Sequence, residues 1–315
     1  MIIVVSTEGD AHARALIERL AACGGSYQLL DLSQFPVRSA LTIDFGACRG
    51  HPTAHWHGVL GSLHFADCRV VWWRRPQPFV VQPEVTDAES RNFALVEAHN
   101  AFTGLWLTLD AFWINHPMRD EEAAHKVYQL KVAQQAGLRI PETRITNDVD
   151  DARTFIKRRG SGQTVYKAFS GTEQAWRETR ILKPEELNLI ADVRFAPVIF
   201  QEYIPAGVDL RITAIGERLF PTAIHTSGTE YEVDFRMAMA SAKFEEVKLP
   251  SEVAESLHTM MQRLGLIYGA IDMRRTPDGE YVFLEINPAG QWLFVEERTG
   301  QPITNALADL MLERD

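Results

Sequence analysis

The side chains best suited to chemistry lie near the end of the chain, at Asp272, Glu285 and Asn287. Residues two apart in a strand share a face, so Glu285 and Asn287 point the same way while Ile286 points into the core. Thr276-Pro277-Asp278-Gly279 is a turn signal that brings Asp272 roughly opposite Glu285. Two carboxylates and an amide oxygen then converge, which suits magnesium held together with nucleotide phosphates. The solvated outer face of an ordinary hairpin fits the same spacing, and the hairpin alone leaves both interpretations open.

Two lysines are candidates for binding phosphate. Lys167 interrupts an otherwise apolar strand, where a buried ammonium is costly without an anionic partner. The residues Ser170-Gly171-Thr172 that follow it predict a small flexible loop able to close over phosphates. Lys126 lies on a predicted helix beside Gln129 and Lys131, which we expect to be exposed. Taken alone, Lys126 is better explained as surface charge.

An apolar strand upstream of these carboxylates is a candidate for the nucleoside. It ends in Gln201-Glu202-Tyr203-Ile204, and the backbone groups at such an end could hold an adenine edge. Asp209, a few residues on, could accept hydrogen bonds from ribose. Without these neighbours, Tyr203 is equally an ordinary core residue.

Size, composition and charge limit the class of protein. At 315 residues the chain is too long for one core, which predicts two or three units. With 46% apolar and 23% charged residues it is typical of globular proteins, and the net charge of −10 disfavours nucleic acid as a partner. No stretch reaches the roughly 18 to 20 apolar residues of a membrane span. The start, MIIVVSTEGD, predicts a first strand rather than a signal peptide, so we expect a soluble protein of the cytoplasm without a membrane partner.

Two sets of possible metal ligands carry less weight. Three cysteines lack the spacing of a zinc site or a disulfide framework, so we expect free thiols. They are Cys23, Cys48 and Cys68. Four histidines fall in a glycine-rich stretch that specifies no converging geometry, which favours turn and strand-edge positions over a metal site. They are His51, His55, His57 and His64.

Strands and helices alternate along the chain, which predicts an α/β (α+β) fold. Residues 2–6, 27–32 and 68–73 predict strands of an opening unit, together with short strands at 41–65 and a long helix from about Glu84 to Leu107. We place an N-terminal α/β domain at 1–117, a central subdomain at 118–196 and a C-terminal subdomain at 197–315. Helices are predicted at 121–136, 150–159, 184–192, 251–264 and from 302, and strands at 164–169, 198–204, 208–216, 218–226, 231–237 and within a hairpin at 268–287.

The order of these residues resembles that of the ATP-grasp superfamily, in particular the ribosomal-protein glutamate ligases. The resemblance covers roughly residues 115–315 and implies an ATP-grasp fold preceded by a small α/β pre-grasp domain. The matching motifs are Lys126, Lys167, Gln201-Glu202-Tyr203-Ile204, Asp209-x-Arg211, Asp234-Phe235-Arg236, Asp272 and Glu285-x-Asn287.

The same resemblance implies ATP and Mg²⁺ as cofactors and a role for each matching residue. Arg236 and Lys167 are the implied catalytic residues, with Arg236 stabilising an acyl phosphate and its oxyanion. The implied nucleotide-binding residues are Lys126, Lys167, Gln201, Glu202, Tyr203, Ile204, Asp209, Arg211 and Arg236. The implied metal ligands are Asp272, Glu285 and Asn287.

Four further motifs are similar to those of the microviridin-type peptide maturases, the graspetide synthetases. They are Val71–Pro76, Trp113–Pro117, Ala124–Leu130 and Ile286–Trp292. In that family an Asp or Glu side chain of a ribosomal precursor peptide is activated and captured by Ser, Thr or Lys, giving ester or amide macrocycles. The resemblance implies a precursor peptide with a leader as partner. We expect the loop at 170–176 to close over the activated carboxylate and the leader to lie against residues 208–237, near the connection at 225–231.

Two other functions remain open at this point. One is an ATP-grasp ligase that acts on free amino acids or a protein terminus, since the ATP motifs are common to both classes. The other is a nucleotide-binding module without activity, against which the intact Asp272, Glu285 and Asn287 set argues. The choice between ester and amide, the peptide, the leader-binding residues and the oligomeric state, including a homodimer, are open as well.

Overall fold

The computed structural model describes residues 1–46, 52–59, 61–169, 179–205, 207–225 and 242–315. Strands and helices alternate through these ranges and form four sheets, which confirms the predicted mixed fold. No described helix combines the length and the apolar character needed to cross a bilayer.

The first sheet is parallel, in the order β2–β1–β6–β7. Its strands are β1 (Ile2–Val5), β2 (Tyr27–Leu30), β6 (Val70–Trp73) and β7 (Phe112–Ile114). The apolar β1 is buried on both faces, as parallel strands are. Helix α1 (Ala11–Ala22) covers one face and α2 (Ala88–Thr108) the other. The long helix predicted from Glu84 thus begins later, where Asp87 accepts a hydrogen bond from the Ser90 amide.

A small antiparallel sheet holds the histidine-rich stretch. It consists of β3 (Ala40–Asp44), β4 (Thr53–Gly58) and β5 (Gly61–His64). His55 faces His64 across the sheet with ring centroids 4.4 Å apart, and His57 Nδ1 lies 2.7 Å from Ser62 Oγ. Nowhere in the described ranges do three His, Cys, Asp or Glu side chains gather around a metal position. His51 and Cys48 lie outside those ranges, while Cys23 and Cys68 are free thiols.

The helix predicted over 121–136 is wrong in one respect, because the chain forms two helices there. These are α3 (Pro117–Ala124) and α4 (Lys126–Gln135). The chain is extended at His125, with φ −76° and ψ 108°, and this breaks the helix directly before Lys126. Pro117 begins α3, where its missing N–H costs nothing.

The central sheet is antiparallel, in the order β10–β9–β11–β8. Its strands are β8 (Thr143–Thr146), β9 (Thr164–Lys167), β10 (Arg180–Ile181) and β11 (Val198–Glu202). Helix α5 (Val149–Arg159) packs on it around Phe155 and Phe200. The α-helix predicted at 184–192 is instead a 3₁₀ segment, Pro184–Phe195, which packs against the same cluster.

The last sheet has five antiparallel strands, in the order β14–β13–β12–β15–β16. They are β12 (Val208–Ile215), β13 (Arg218–His225), β14 (Lys243–Glu246), β15 (Tyr268–Arg275) and β16 (Tyr281–Asn287). Helix α6 (Ser251–Leu264) and the C-terminal helix α8 (Ile303–Leu312) follow the prediction, and a further helix that was not predicted, α7 (Leu293–Thr299), precedes α8. The strand predicted at 231–237 lies outside the described residues.

One buried side chain joins the first sheet to the last. Asn115 Nδ2 donates to the carbonyl oxygens of Tyr268 and Pro288, at 2.9 and 3.1 Å. Its Oδ1 accepts from the amides of Ile267 and Tyr268, at 2.8 and 2.9 Å. All four contacts are to backbone, so the end of β7 is held against both β15 and the loop after β16.

Candidate active site

The candidate metal ligands lie on two paired strands. Asp272 of β15 is opposite Glu285 of β16, and Asn287 is opposite Ala270, two residues along. The register predicted from the turn is therefore confirmed. It shifts directly after Asp272, where one extra residue of β16 forms a bulge. Two carboxylates and an amide are the oxygen donors that Mg²⁺ prefers, so the residues present fit this ion.

A cation from another element holds each carboxylate. Lys126 Nζ donates to Glu285 Oε2 at 2.6 Å, and Arg211 Nη1 of β12 donates to Asp272 Oδ1 at 2.8 Å. Arg211 also donates to the Gln291 carbonyl oxygen at 3.0 Å. The two carboxylates are thus oriented by cationic groups of a kind that also binds phosphate.

Lys126 reaches Glu285 because α4 is fastened to β16 by Gln129. This residue was expected to be exposed, and that expectation is wrong: Gln129 is 3% exposed. Its Nε2 donates to the carbonyl oxygens of Ala123 and Ile286, at 2.7 and 2.8 Å, while its Oε1 accepts from the Ile286 amide at 3.2 Å. The side-chain amide of Gln129 thus pairs with both the N–H and the carbonyl group of Ile286, the residue that lies between Glu285 and Asn287.

Eight of the residues predicted from the sequence line one open cleft. The central sheet forms one wall and the hairpin of β15 and β16 the other. Lys126 and Arg211 adjoin the cleft through their ion pairs with Glu285 and Asp272. The predicted residues in its lining are Lys167, Gln201, Glu202, Tyr203, Ile204, Asp209, Asp272 and Glu285.

The end of β11 is held firmly in place. Gln201 Nε2 donates to Thr143 Oγ1 at 2.9 Å, and the Glu202 carboxylate pairs with Arg159 at 3.3 Å. The amide of Tyr203 donates to the Gln163 carbonyl oxygen at 2.9 Å. A fixed strand end of this kind presents a rigid edge to a planar ligand, and its adenine role stays a prediction.

Asp209 is 3% exposed and forms an ion pair that the sequence analysis missed. Its Oδ1 accepts from Arg274 Nε at 2.8 Å, and Arg274 Nη1 donates to the Ile204 carbonyl oxygen at 2.8 Å. A signal for Arg274 existed, since it lies two residues after Asp272 and so shares its face of β15. Arg274 of β15 thus ties Asp209 and the carbonyl oxygen of Ile204 to the strand that carries Asp272.

Arg74 was also missed as a site residue, although its motif was noted. It is 1% exposed and donates through Nη1 to the carbonyl oxygens of Ala289 and Gly290, the latter at 2.8 Å. Gly290 leaves no room for a side chain, because a Cβ there would lie 2.2 Å from that of Ala270. The loop after the metal ligands is thus held from the first sheet.

The charge of Arg74 acts on Asp10 and His12, at the start of α1. Burial and the Arg74 charge lower the pKa of His12 to about 3, so its ring is neutral at pH 7 and contacts Trp292 edge to face at 4.3 Å. Burial opposes ionisation of Asp10, but Arg74 and the amides of Ala13 and His12 lower its pKa below the usual value. Asp10 Oδ2 lies 3.3 Å from Arg74 Nε.

Three predicted features lie outside the described residues. Arg236 is one of them, and so are the loop expected to close at 170–176 and most of the connection at 225–231. Their roles stay predictions.

Comparison with known proteins agrees with this geometry. The model of the RimK-like ATP-grasp domain matches residues 123–311, more than half of the chain. The structure of macrocyclase MdnC bound with precursor peptide MdnA, from Microcystis aeruginosa, is 28% identical, covers 99% of both chains and has a TM-score of 0.87. A Chryseobacterium gregarium RiPP-associated ATP-grasp ligase, in complex with ADP and a leader and core peptide, has the same fold with a TM-score of 0.88 at 24% identity over 100% of this chain and 97% of that one. A probable alpha-L-glutamate ligase of Shewanella amazonensis is 24% identical over 64% of this chain and 67% of its own length.

Proposed function

The chain belongs to the RimK-like ATP-grasp family, whose ligases use ATP and Mg²⁺, and we propose that it matures a ribosomal precursor peptide. It would activate Asp or Glu side chains of that peptide as acyl phosphates and join them to Ser, Thr or Lys side chains, closing ester or amide macrocycles. As an ATP-grasp ligase it is an enzyme, so a module that only binds nucleotide no longer fits.

The observation that carries the proposal is the extent of the likeness. Structural similarity to the peptide macrocyclase MdnC runs through 99% of both chains with a TM-score of 0.87. This range includes the first sheet, whose Arg74 and Asn115 contact the loop beside the candidate metal ligands. Substrate class is set by such neighbouring parts of a site rather than by the shared ATP motifs.

The chemistry proceeds in two balanced steps. An oxygen of the peptide carboxylate attacks the γ-phosphorus of ATP, ADP leaves, and a mixed anhydride forms. The hydroxyl or amine then attacks the carbonyl carbon of the anhydride, inorganic phosphate leaves and the nucleophile loses its proton. Mg²⁺ held by Asp272, Glu285 and Asn287 supplies charge neutralisation on the phosphates.

Lysine and arginine side chains of the chain would stabilise the remaining negative charge of the reacting groups. We assign Lys126 and Lys167 to the phosphates, since both stand at the cleft, and Gln201 to Ile204 with Asp209 to the nucleoside side. Arg211 keeps Asp272 oriented. Arg236 is proposed to donate two hydrogen bonds where charge develops on the acyl phosphate. The loop at 170–176 is proposed to exclude water from the anhydride.

A second candidate is a ligase that adds glutamate or another small amino acid. The observation in its favour is the similarity in sequence to proteins that are named probable alpha-L-glutamate ligases. Both candidates need the same nucleotide and metal residues, so only the substrate separates them.

The deciding experiment combines the purified chain, ATP, Mg²⁺ and a cognate precursor peptide that contains Asp or Glu together with Ser, Thr or Lys. We expect each bond to remove one water, about 18 Da by mass spectrometry, and to release one ADP. ADP that appears only with free glutamate, together with a product that gains the mass of an amino acid, would replace the first candidate by the second.

A further inference from the structure

A second cavity of about 540 Å³ lies in the first α/β unit and shares no lining residue with the cleft. It opens at the carboxyl ends of two parallel strands, since Trp73 is the last residue of β6 and His116 follows β7 by two residues. In open α/β sheets ligands bind at this end of the strands. The volume also falls in the range of small-ligand sites, roughly 300 to 1,000 Å³.

The walls of this cavity are mainly aromatic. Phe79 stacks on Phe102 with ring centroids 5.3 Å apart, and Trp73 meets Trp106 edge to face at 5.9 Å. Met118, 46% exposed, lies at the rim. Such walls offer several π faces to a ligand.

Two carboxylates, Asp120 and Glu121, also line the cavity, and none of the described residues that line it is a lysine or an arginine. One oxygen of the Asp120 carboxyl group, Oδ1, is buried and has no hydrogen-bond partner among the residues that the structure describes. Burial raises the pKa of Asp120 to about 7, although a hydrogen bond from Asn115 and the charge of Arg74 oppose the rise. Burial also lowers the pKa of His116, so this ring brings no charge at pH 7. The lining of the cavity therefore has two carboxyl groups and, among the described residues, no lysine or arginine that would pair with them inside it.

We propose that this cavity binds the basic side chain of an arginine or lysine in the peptide substrate. A guanidinium or ammonium would pair with Asp120 and Glu121 and lie against the aromatic rings, which attract cations through their faces. Such a contact would anchor the peptide at a point separate from its reacting carboxylate. The identity of the ligand as part of a peptide substrate rests on the proposed function; the cation site itself does not.

Binding is tested on the full chain without ATP, by NMR of ¹³C-methyl methionine, with the Met118 signal identified from a Met118→Leu sample. The probes are N-acetyl-arginine amide and N-acetyl-lysine amide, with the neutral N-acetyl-citrulline amide and N-acetyl-norleucine amide as isosteres. We expect the two cations to shift the Met118 signal saturably, and the neutral isosteres to bind about tenfold more weakly or not at all.

Two variants locate the effect. Asp120→Asn should weaken cation binding about tenfold, while Glu122→Gln, an exposed residue on the same helix that pairs with Arg119, should leave it unchanged. Phe79→Leu keeps the wall apolar but removes a ring, so it should weaken binding of the arginine probe even if Asp120→Asn fails to fold.

Three outcomes overturn the site: equal binding of cations and isosteres, no shift of Met118, or a shift that depends only on protein concentration, which would mark this face as an interface between copies. Cation binding by a chain that turns over no peptide would keep the site and remove the proposed function. Peptide turnover without cation binding would keep the proposed function and remove the cation site.

Discussion

At the level of single residues, the candidate metal site is a balance of charges that come from separate parts of the chain. Glu285 is paired with Lys126 of α4 and Asp272 with Arg211 of β12, so each carboxylate has a cation from another element. Removing one charge should therefore disturb the chemistry more than the fold.

Glu285→Gln tests this directly. The side chain keeps its shape and loses its charge, so we expect turnover to fall at least about a hundredfold with little change in melting temperature. Glu280→Gln, in the exposed turn of the same hairpin, is the matched control and should keep its rate. Wild-type turnover in Glu285→Gln would remove this residue from the metal set, and loss of the fold would make its role structural.

Lys167→Met tests the lysine at the end of β9. The variant keeps the length and the apolar stem of the side chain, so we expect nucleotide affinity or turnover to fall about tenfold without loss of stability in the absence of ligand. Calorimetry with ATP measures the nucleotide affinity, and thermal melting measures the stability without ligand. Lys157→Met, exposed on α5, should change neither quantity. If it is Lys167→Met that changes neither, the lysine is a surface residue.

His12 should make folding sensitive to acid. The unfolded chain takes up a proton at this residue below about pH 6.5, its ordinary pKa, whereas the folded chain does so only near 3. Because the unfolded state binds more protons at this residue in that window, the contribution of His12 to stability falls as the pH falls, by about 1.4 kcal/mol between pH 7.5 and 5.5. Denaturant unfolding of wild type and His12→Gln isolates this contribution: the variant should lose about 1.4 kcal/mol less than wild type over the interval. Equal losses would contradict the low pKa.

At the level of elements, the site depends on contacts between a helix and a strand. Gln129→Leu should leave the backbone groups of Ile286 buried without partners, at a cost of about 2 to 3 kcal/mol. It should also displace Lys126 and weaken ATP binding. Chemical denaturation and calorimetry measure the two effects, with the exposed Gln134→Leu on the same helix as control. A stable variant with unchanged ATP affinity would show that α4 is held in another way.

Some features of the strands and helices could be predicted from the sequence and others could not. The hairpin register could be predicted, because the turn at Thr276 and the two-residue period of a strand are both local signals. The break between α3 and α4 could not, since the residues around His125 favour helix and none is Gly or Pro. The buried state of Gln129 depends on a strand residue 157 positions away, and the partners of Arg74 lie in a loop 215 and 216 positions away, which no local pattern encodes.

At the level of the whole molecule, the first α/β unit and the grasp share one core. A single apolar cluster contains Val4 and Trp72 from the first sheet together with Trp292 and Leu307 from the end of the chain. The proposed boundary at residue 196 separates β11 from the central sheet, where it pairs with β8 and β9. The proposed boundary at residue 117 instead follows the end of the first sheet, although the packing crosses it. For this reason we expect substrate contacts of the first unit to be fixed relative to the cleft.

The packing of α1 against α8 has a consequence for biosynthesis. Leu16 and Leu20 of α1 are buried in the same cluster as Leu307 and Met311 of α8. A ribosome that adds about 5 to 20 residues per second needs on the order of tens of seconds to reach the second helix after making the first. Throughout that interval the apolar face of α1 is not covered by α8. We expect a chaperone to bind the nascent chain at this face.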